Sequence, residues 1–403
     1  MTTIERIDKL THPAIQEFVR TNETLDENNL LLTHREVLGL PTSILVTQLI
    51  GRRKAKFKLP TWYATANILY PPATNLAQSS SEATGKFKST ILNGLLTDFE
   101  RMVDLTGGFG VDSFYLASHF KSVVWVDPNE ELKAIVSHNH KQLGARNIQY
   151  TTQTAEEFVS ANVLNTSLYY LDPSRRVDSV KVVKLIDCVP DVLKLLNSLL
   201  VQCPFLLIKV SPLLDIHQGL VELKQVEKVF VVSVGNECKE LLFFIRKGFE
   251  KEPTIEAVDL TPSGEIVHSF SFLSSEETAT EVSFSQPQEY LYEPNASIMK
   301  AGAFKLIAKR FGIKKISNNT HFYTSQERIA NFPGRVFKIE KINPDKEELK
   351  QFFPDEKANV IIRNYPLSAE ALKRKLKLKD GGDNYVIGFS EQKRKTIIIA
   401  SRV

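Results

Sequence analysis

The sequence predicts an α/β protein built on a seven-stranded sheet, and three observations point to it. Residues 101–127, RMVDLTGGFGVDSFYLASHFKSVVWVD, read as strand, glycine loop, helix, strand and acid. Residues 96–250 then keep alternating short apolar runs with helical patterns, as parallel strands joined by helices require. The last two apolar runs, Val229 to Val234 and Leu241 to Ile245, are separated only by a short loop around Gly235-Asn236-Glu237-Cys238, so they close as a reversed pair.

The opening unit sets the chemistry. Met102 to Leu105 is apolar except for Asp104, and Thr106-Gly107-Gly108-Phe109-Gly110 is too rich in glycine to be anything but a tight loop. Val111 to Phe120 places Val111, Phe114, Tyr115 and Ala117 on one helical face, with Asp112 in its first turn. Ser122 to Val126 is a β-branched run closed by Asp127-Pro128-Asn129. Glycines let a ligand approach the backbone and expose N–H groups at a helix start. An acid at the second strand tip can accept both hydroxyls of a ribose. A dinucleotide loop would need a third glycine after Gly110, where Val111-Asp112-Ser113 stands, and Asp104 would repel a pyrophosphate. Asp104 suits the ammonium of an amino-acid-like ligand instead.

The run DLTGGFGVD resembles motif I of class I S-adenosylmethionine (SAM)-dependent methyltransferases, and VVWVD resembles the acidic loop that follows it. The resemblance implies a class I methyltransferase Rossmann-like seven-stranded sheet. It implies SAM as cofactor, with Asp104, Gly107, Gly108 and Gly110 at its methionine end, Asp127 at its ribose, and Thr106, Phe109, Asp112, Pro128 and Asn129 as further cofactor-binding residues. Upstream, Gln78-Ser79-Ser80-Ser81-Glu82-Ala83-Thr84 precedes a basic-aromatic pair and is similar to the segment before motif I in a bacterial group of RNA-methyltransferase-like proteins. Ser80 or Ser81 can cap the helix that follows, and Ser81 is taken as a cofactor residue. After the third strand, Asn147 to Thr151, comes Thr154-Ala155-Glu156. The resemblance places Glu156 at the adenine, while a first-turn helix position reads equally well.

The fourth strand, Leu168 to Leu171, ends in Asp172-Pro173-Ser174-Arg175-Arg176, beside the strand-order switch where such sheets bind ligands. This resembles the D-P-P-aromatic motif of methyltransferases acting on exocyclic amines, which implies that Asp172 and Pro173 orient the acceptor. Arg175 replaces the aromatic, and with Arg176 it can stack on a base or pair with phosphate. Pro204 to Val210 is the fifth strand, and Lys209-Val210-Ser211-Pro212 beyond it read as turn formers with substrate contact as the alternative.

Composition limits the rest. The chain has 403 residues, 42% hydrophobic and 24% charged, ordinary for a globular protein of two or three domains. No apolar run reaches the length of a membrane span, and the N-terminus MTTIERIDKL lacks a secretory apolar core. Cys188, Cys203 and Cys238 are far apart and the 8 histidines are scattered, which predicts no metal site and a reducing, cytoplasmic setting. The net charge of +4 conceals an asymmetry: residues 301–403 carry +11 and the remainder −7. A basic end on an acidic body suggests a polyanion partner.

Residues 1–60 are helical in pattern, with breaks at Pro13 and Pro41, and end in the basic run Gly51-Arg52-Arg53-Lys54-Ala55-Lys56-Phe57-Lys58. That run suits phosphates or a solvated helix end. Beyond residue 250 the pattern predicts short strands and a linker, one helix from Ser297 to Phe311, and then strand, helix, strand, helix and two strands over residues 335–403. That last order resembles a THUMP-like module of RNA-modifying enzymes, with Lys373-Arg374-Lys375 and Lys393-Arg394-Lys395 available to phosphates.

The expected organisation is an N-terminal helical domain (1–95), a methyltransferase domain (96–250), a linker with a small α/β subdomain (251–330) and a small α+β THUMP-like module (331–403). Taken together, the chain resembles bacterial THUMP-like-domain-containing class I SAM-dependent methyltransferases, which implies structured RNA, tRNA or rRNA, as substrate and a base nitrogen as acceptor. Two alternatives remain open: an RNA-binding protein that keeps SAM as a structural or sensing ligand, and a methyltransferase of protein or small-molecule acceptors.

Overall fold

A computed structural model describes residues 3–161, 165–175, 184–392 and 394–403. The chain divides into two compact units: residues 1–235, 239–253 and 260–267 form the first, and 236–238, 254–259 and 268–403 the second.

The first unit begins with helices α1 (Thr3–Leu10), α2 (Pro13–Thr21) and α3 (Glu27–Thr33) and a two-strand ribbon, β1 (Glu36–Val37) and β2 (Leu40–Pro41). Helices α4 (Thr42–Lys58), α5 (Pro60–Ala64), α6 (Ala73–Gln78) and α7 (Glu82–Leu95) follow. The sheet region then runs β3 (Arg101–Asp104), α8 (Val111–Ala117), β4 (Ser122–Val126), α9 (Glu130–Gln142), β5 (Ile148–Thr151), α10 (Ala155–Ala161) and β6 (Leu168–Leu171). A short ribbon, β7 (Ser174–Arg175) with β8 (Cys188–Val189), leads to α11 (Val192–Gln202), β9 (Phe205–Val210), α12 (Ile216–Leu223), β10 (Val226–Val234) and β11 (Glu237–Arg246).

Seven strands of a nine-stranded sheet lie in the order β10-β11-β9-β6-β3-β4-β5. The pairs β9/β6, β6/β3, β3/β4 and β4/β5 are parallel, and β11 runs antiparallel to β9. The seven predicted strands, with β11 reversed, are therefore present, in a sheet two strands wider than expected, and the strand order switches direction between β3 and β6. Strands β3, β4, β6 and β9 are mostly buried along their length, as central parallel strands covered on both faces are.

The N-terminal helices pack onto this sheet region through one core. Leu45, Leu49, Trp62 and Leu69 share a buried cluster with Phe109, Trp125, Leu132 and Val136. Trp62 lies 4.9 Å from Phe109 between ring centres and edge-on to Phe114 at 5.9 Å. Two buried amides clamp the extended segment at Leu69 and Tyr70. Asn139 accepts from the Leu69 N–H (2.8 Å) and donates to its carbonyl (2.7 Å), and Gln48 does the same for Tyr70 at 2.9 and 2.8 Å. Buried backbone groups outside regular structure need such partners.

Strands β12 (Thr254–Leu260) and β13 (Ile266–Leu273) are divided between the units, residues 260–267 belonging to the first, and the second unit continues with α13 (Ser274–Ala279) and a seven-stranded sheet of its own. That sheet is made of β14 (Tyr290–Pro294), β15 (Lys314–Lys315), β16 (Tyr323–Ser325), β17 (Gly334–Ile342), β18 (Asn359–Arg363), β19 (Asn384–Ser390) and β20 (Lys395–Arg402), in the order β15-β16-β14-β17-β20-β19-β18. Helices α14 (Ala296–Ala301), α15 (Leu306–Phe311), α16 (Lys346–Phe352) and α17 (Ala369–Leu376) complete it. The single helix expected from Ser297 to Phe311 is thus two, because Gly302 adopts a left-handed φ of 82° and ends the first. No helix among the described residues is long and apolar enough to cross a membrane.

Candidate functional site

The site is built at the C-terminal ends of β3, β4, β6 and β9, beside the switch in strand order. The loop after β3 has its shape for local reasons. A Cβ on Gly107 would stand 2.2 Å from the Trp125 indole nitrogen, so only glycine fits. Gly110, at φ 76°, would meet Val136 and His140 at 2.6 and 2.7 Å. Gly108 also has positive φ, 49°, but a Cβ there would find nothing closer than 3.6 Å. At this position the backbone is open, as a cradle for a ligand must be.

Two acids tie the loop down. Asp127, at the tip of β4, accepts from the Gly108 N–H (3.1 Å) and the Asn129 N–H (2.9 Å). Burial holds its carboxyl above the usual range, against the lowering effect of those donors. Asp104 is buried. It accepts from the Thr106 N–H at 3.0 Å and, through its other oxygen, from the Ser113 hydroxyl. Complete burial pushes its carboxyl up to about 7, with the Ser113 and Thr106 donors opposing and Asp112 and Asp172 adding to the rise.

The fourth strand joins the same loop. The Asp172 N–H donates to the Thr106 hydroxyl at 2.6 Å, and the Asp172 carboxylate forms an ion pair with Lys209 from β9. Burial alone would lower the Lys209 ammonium, but Asp172, Glu240 and Asp112 raise it well above the ordinary lysine range. Pro173 is buried, and Ser174 and Arg175 lie in the short β7 strand paired with β8. Arg176 lies outside the described residues.

Beneath the loop is a buried charge cluster. Asp112, in the first turn of α8, accepts from the Ser80 hydroxyl and the Tyr170 hydroxyl, each at 2.7 Å. Its other oxygen lies 3.2 Å from the Lys88 ammonium, which pairs with Glu240 of β11 at 2.6 Å. Lys88 is fully buried. Burial favours protonation of Asp112, yet Lys88, Lys209 and the two hydroxyls outweigh it and hold the carboxyl low. Glu240 is raised, since burial there exceeds the pull of Lys88.

Of the sequence-predicted residues, Asp104, Thr106, Gly107, Gly108, Gly110, Asp112, Asp127 and Asp172 come together here. Phe109 does not present its ring: the side chain is buried against Trp62, leaving only its backbone in the loop. Ser81 caps α7 by accepting from the Thr84 N–H at 3.2 Å, and it is Ser80 that reaches Asp112. Asn129 caps α9 through the Leu132 N–H, and both Pro128 and Asn129 are exposed. Glu156 is an exposed first-turn residue of α10. Sequence reasoning missed Lys88, Tyr170 and Glu240. Lys88 had a signal: it lies between Thr84 and Leu92 at i±4 on the buried stripe of α7. Glu240 had none. A separate groove of about 840 Å³, lined by Lys86, Tyr115, Arg146 and Gly264, contains none of the loop residues.

The basic end is less free than its count. Lys373 is paired with Glu370 and Asp380, Arg335 and Arg363 both with Glu293, and Arg394 with Glu391. Arg374, Lys375, Lys377 and Lys395 remain exposed, and Lys393 lies outside the described residues. No group of three or more His, Cys, Asp or Glu among the described residues is arranged to hold a metal ion.

Comparison with known proteins agrees with this architecture. Residues 290–333 match a ferredoxin-like domain family, and residues 334–402 match a THUMP domain-like family. The crystal structure of a candidate methyltransferase from Porphyromonas gingivalis W83 is similar over 97% of this chain and 98% of its own, with 29% identity and a TM-score of 0.84. An rRNA methylase from Streptococcus thermophilus overlaps 41% of this chain and 93% of its own, at 17% identity and a TM-score of 0.30. A candidate methyltransferase from Streptococcus mutans in complex with S-adenosylhomocysteine (SAH) overlaps 41% of this chain and 96% of its own, at 16% identity and a TM-score of 0.30. No curated protein sequence matches. The chain therefore combines a parallel-rich, methyltransferase-like sheet with C-terminal ferredoxin-like and THUMP-like domains.

Two outcomes follow from the cluster. Lys88→Met leaves Asp112 and Glu240 buried without their cation and is expected to cost about 3–5 kcal/mol. The further change Glu240→Gln should return part of that loss, and urea unfolding of the two variants measures it. Asp104 is a carboxyl whose folded value is raised from 3.8 to about 7, so the folded state takes its proton more readily than the unfolded chain. Its stabilising contribution is full below about pH 4 and is lost as pH rises through 7. Urea unfolding from pH 4 to 8 should show wild type losing stability relative to Asp104→Asn, and a constant difference would refute the assignment.

Proposed function

We propose that this protein is a SAM-dependent methyltransferase acting on a base nitrogen of structured RNA, tRNA or rRNA, in the cytoplasm. One observation carries the reading: the open glycine loop is held by a strand-tip acid on one side and by the Asp172-Pro173 strand end on the other. A cofactor lying along that loop would sit between Asp127 and Asp172, beside the strand-order switch. The similarity to the Porphyromonas gingivalis protein over nearly the whole chain supports the reaction class. The THUMP-like domain and its exposed lysines support RNA as the substrate.

The site residues fit SAM. Gly108 would let the backbone approach the ligand, and Asp127 keeps lone pairs for the ribose hydroxyls. Asp104 spends its oxygens on Thr106 and Ser113, so its part is to set the loop and supply negative potential for the ammonium. When bound, SAM supplies a methyl group already activated on a sulfonium. The protein then has to align the acceptor with it. Asp172, fixed in position by the Thr106 hydroxyl and paired with Lys209, would accept a hydrogen bond from the acceptor amine and turn its lone pair toward the methyl group. Pro173, Arg175 and Arg176 would bound and steer the base. A base taken from a helix must first leave its stack.

The deciding experiment is transfer of labelled methyl from SAM to total RNA of a strain lacking the gene. Label in a discrete RNA is expected, with Asp172→Ala reducing the rate by at least about tenfold and Asp127→Ala weakening SAM binding by about tenfold or more. Clear SAM binding with label only on protein or small molecules would reject the RNA reading. RNA binding with no turnover on any acceptor would leave SAM as a structural or sensing ligand.

A further inference from the structure

The basic run at the end of α4 is not absorbed by the site described above, and its side chains have divided roles. Arg52 pairs with Glu23 and lies over the Tyr63 ring at 4.2 Å, and Arg53 pairs with Glu27 at 2.6 Å. Lys58 donates to the carbonyls of Leu76 and Ala77, each at 2.8 Å. These three cations serve the fold. Lys54 and Phe57 do not: Lys54 is exposed with no carboxylate partner among the described residues, and Phe57 is 83% exposed.

Lys54, Phe57 and Lys58 share one side of the last helical turn, at spacings of three and four residues. Lys58 ties that turn to the segment leading into the candidate site. Ala77, which holds Lys58, is three residues before Ser80, whose hydroxyl bonds Asp112. Three residues of chain span at most about 10 Å. The Lys58 ammonium is also within electrostatic reach of Lys209 and Asp112, and burial followed by Lys209 lowers it to about 8. An aromatic ring left in water beside an uncompensated cation, at the edge of a charged crevice, is the arrangement that stacks a base and meets its phosphate.

We infer that Phe57 and Lys54 form a platform for an unpaired nucleotide of the RNA substrate, Phe57 stacking on the base and Lys54 contacting the adjacent phosphate. The inference rests on the RNA reading and adds to it a substrate site on the N-terminal helices. It requires single-stranded character in the RNA next to the methylated position.

The test uses the full chain and a short fluorescein-labelled single-stranded oligouridylate, together with methyl transfer to the RNA named above. Loss of one stacked base is expected to raise the Kd of Phe57→Ala roughly fivefold to a hundredfold, with SAM affinity and thermal midpoint unchanged. Phe57→Trp should keep RNA affinity and show quenching on saturation, read against Trp62 and Trp125, which are both fully buried. If wild type methylates RNA while Phe57→Ala binds the oligonucleotide normally and the Phe57→Trp fluorescence is not quenched, the platform is overturned and the RNA reading stands. If wild type neither binds nor methylates RNA, both fall.

Discussion

Lys88 is an ammonium group with no access to water, and the site depends on it. It lies between Asp112, at the start of the helix that follows the glycine loop, and Glu240, on the reversed strand β11. Through Asp112 it fixes Ser80 and Tyr170, and so the entry to α7 and the end of β6. Four elements, α7, α8, β6 and β11, are held by one buried cation. Such a pair contributes little net stability over apolar packing, but breaking it is costly. Its effect is to make the loop's position a consequence of the core.

A second tier runs from the buried Asp104 out to the partly exposed Thr106 and Asp172. Asp104, Thr106 and Asp172 form a chain of donors and acceptors from β3 to β6, and Lys209 adds β9. Each functional group is therefore positioned by a strand end and restrained by a neighbouring strand. This is how a parallel sheet converts a loop into a rigid site, and it is why the crevice at the switch in strand order is where ligand chemistry collects.

Much of the fold was legible because its signals are local. The glycine loop, the acids at the strand tips, and the alternation of apolar runs with helical patterns all lie within short windows of sequence. The hairpin was legible from the loop around Gly235-Asn236-Glu237-Cys238, though the turn itself is only Gly235 and Asn236, both at positive φ, and β11 already begins at Glu237. The tiers of charge were not. Lys88 meets Glu240 across 152 residues, and neither the strand pattern around Leu241 nor the helix pattern around Phe87 names a partner. The direction of the Phe109 side chain was not legible for a related reason. A residue inside a ligand loop can turn its side chain away, and Trp62, 47 residues earlier, supplies the packing that makes it do so. Ser80 and Ser81 were indistinguishable in sequence, and one helical step sends one to the cap and the other to Asp112. The charge of residues 301–403 was counted correctly, but a count does not show which cations are paired: Glu370 and Asp380 hold Lys373, and Glu293, from before that range, holds Arg335 and Arg363.

The most direct measurement is a crystal structure of the full chain with SAH. The account predicts the ribose hydroxyls on the Asp127 carboxylate, the ligand backbone against Gly108, and the sulfur facing the Asp172-Pro173 strand end. SAH bound elsewhere, with the Gly108–Asp127 hydrogen bond closed over an empty loop, would contradict it.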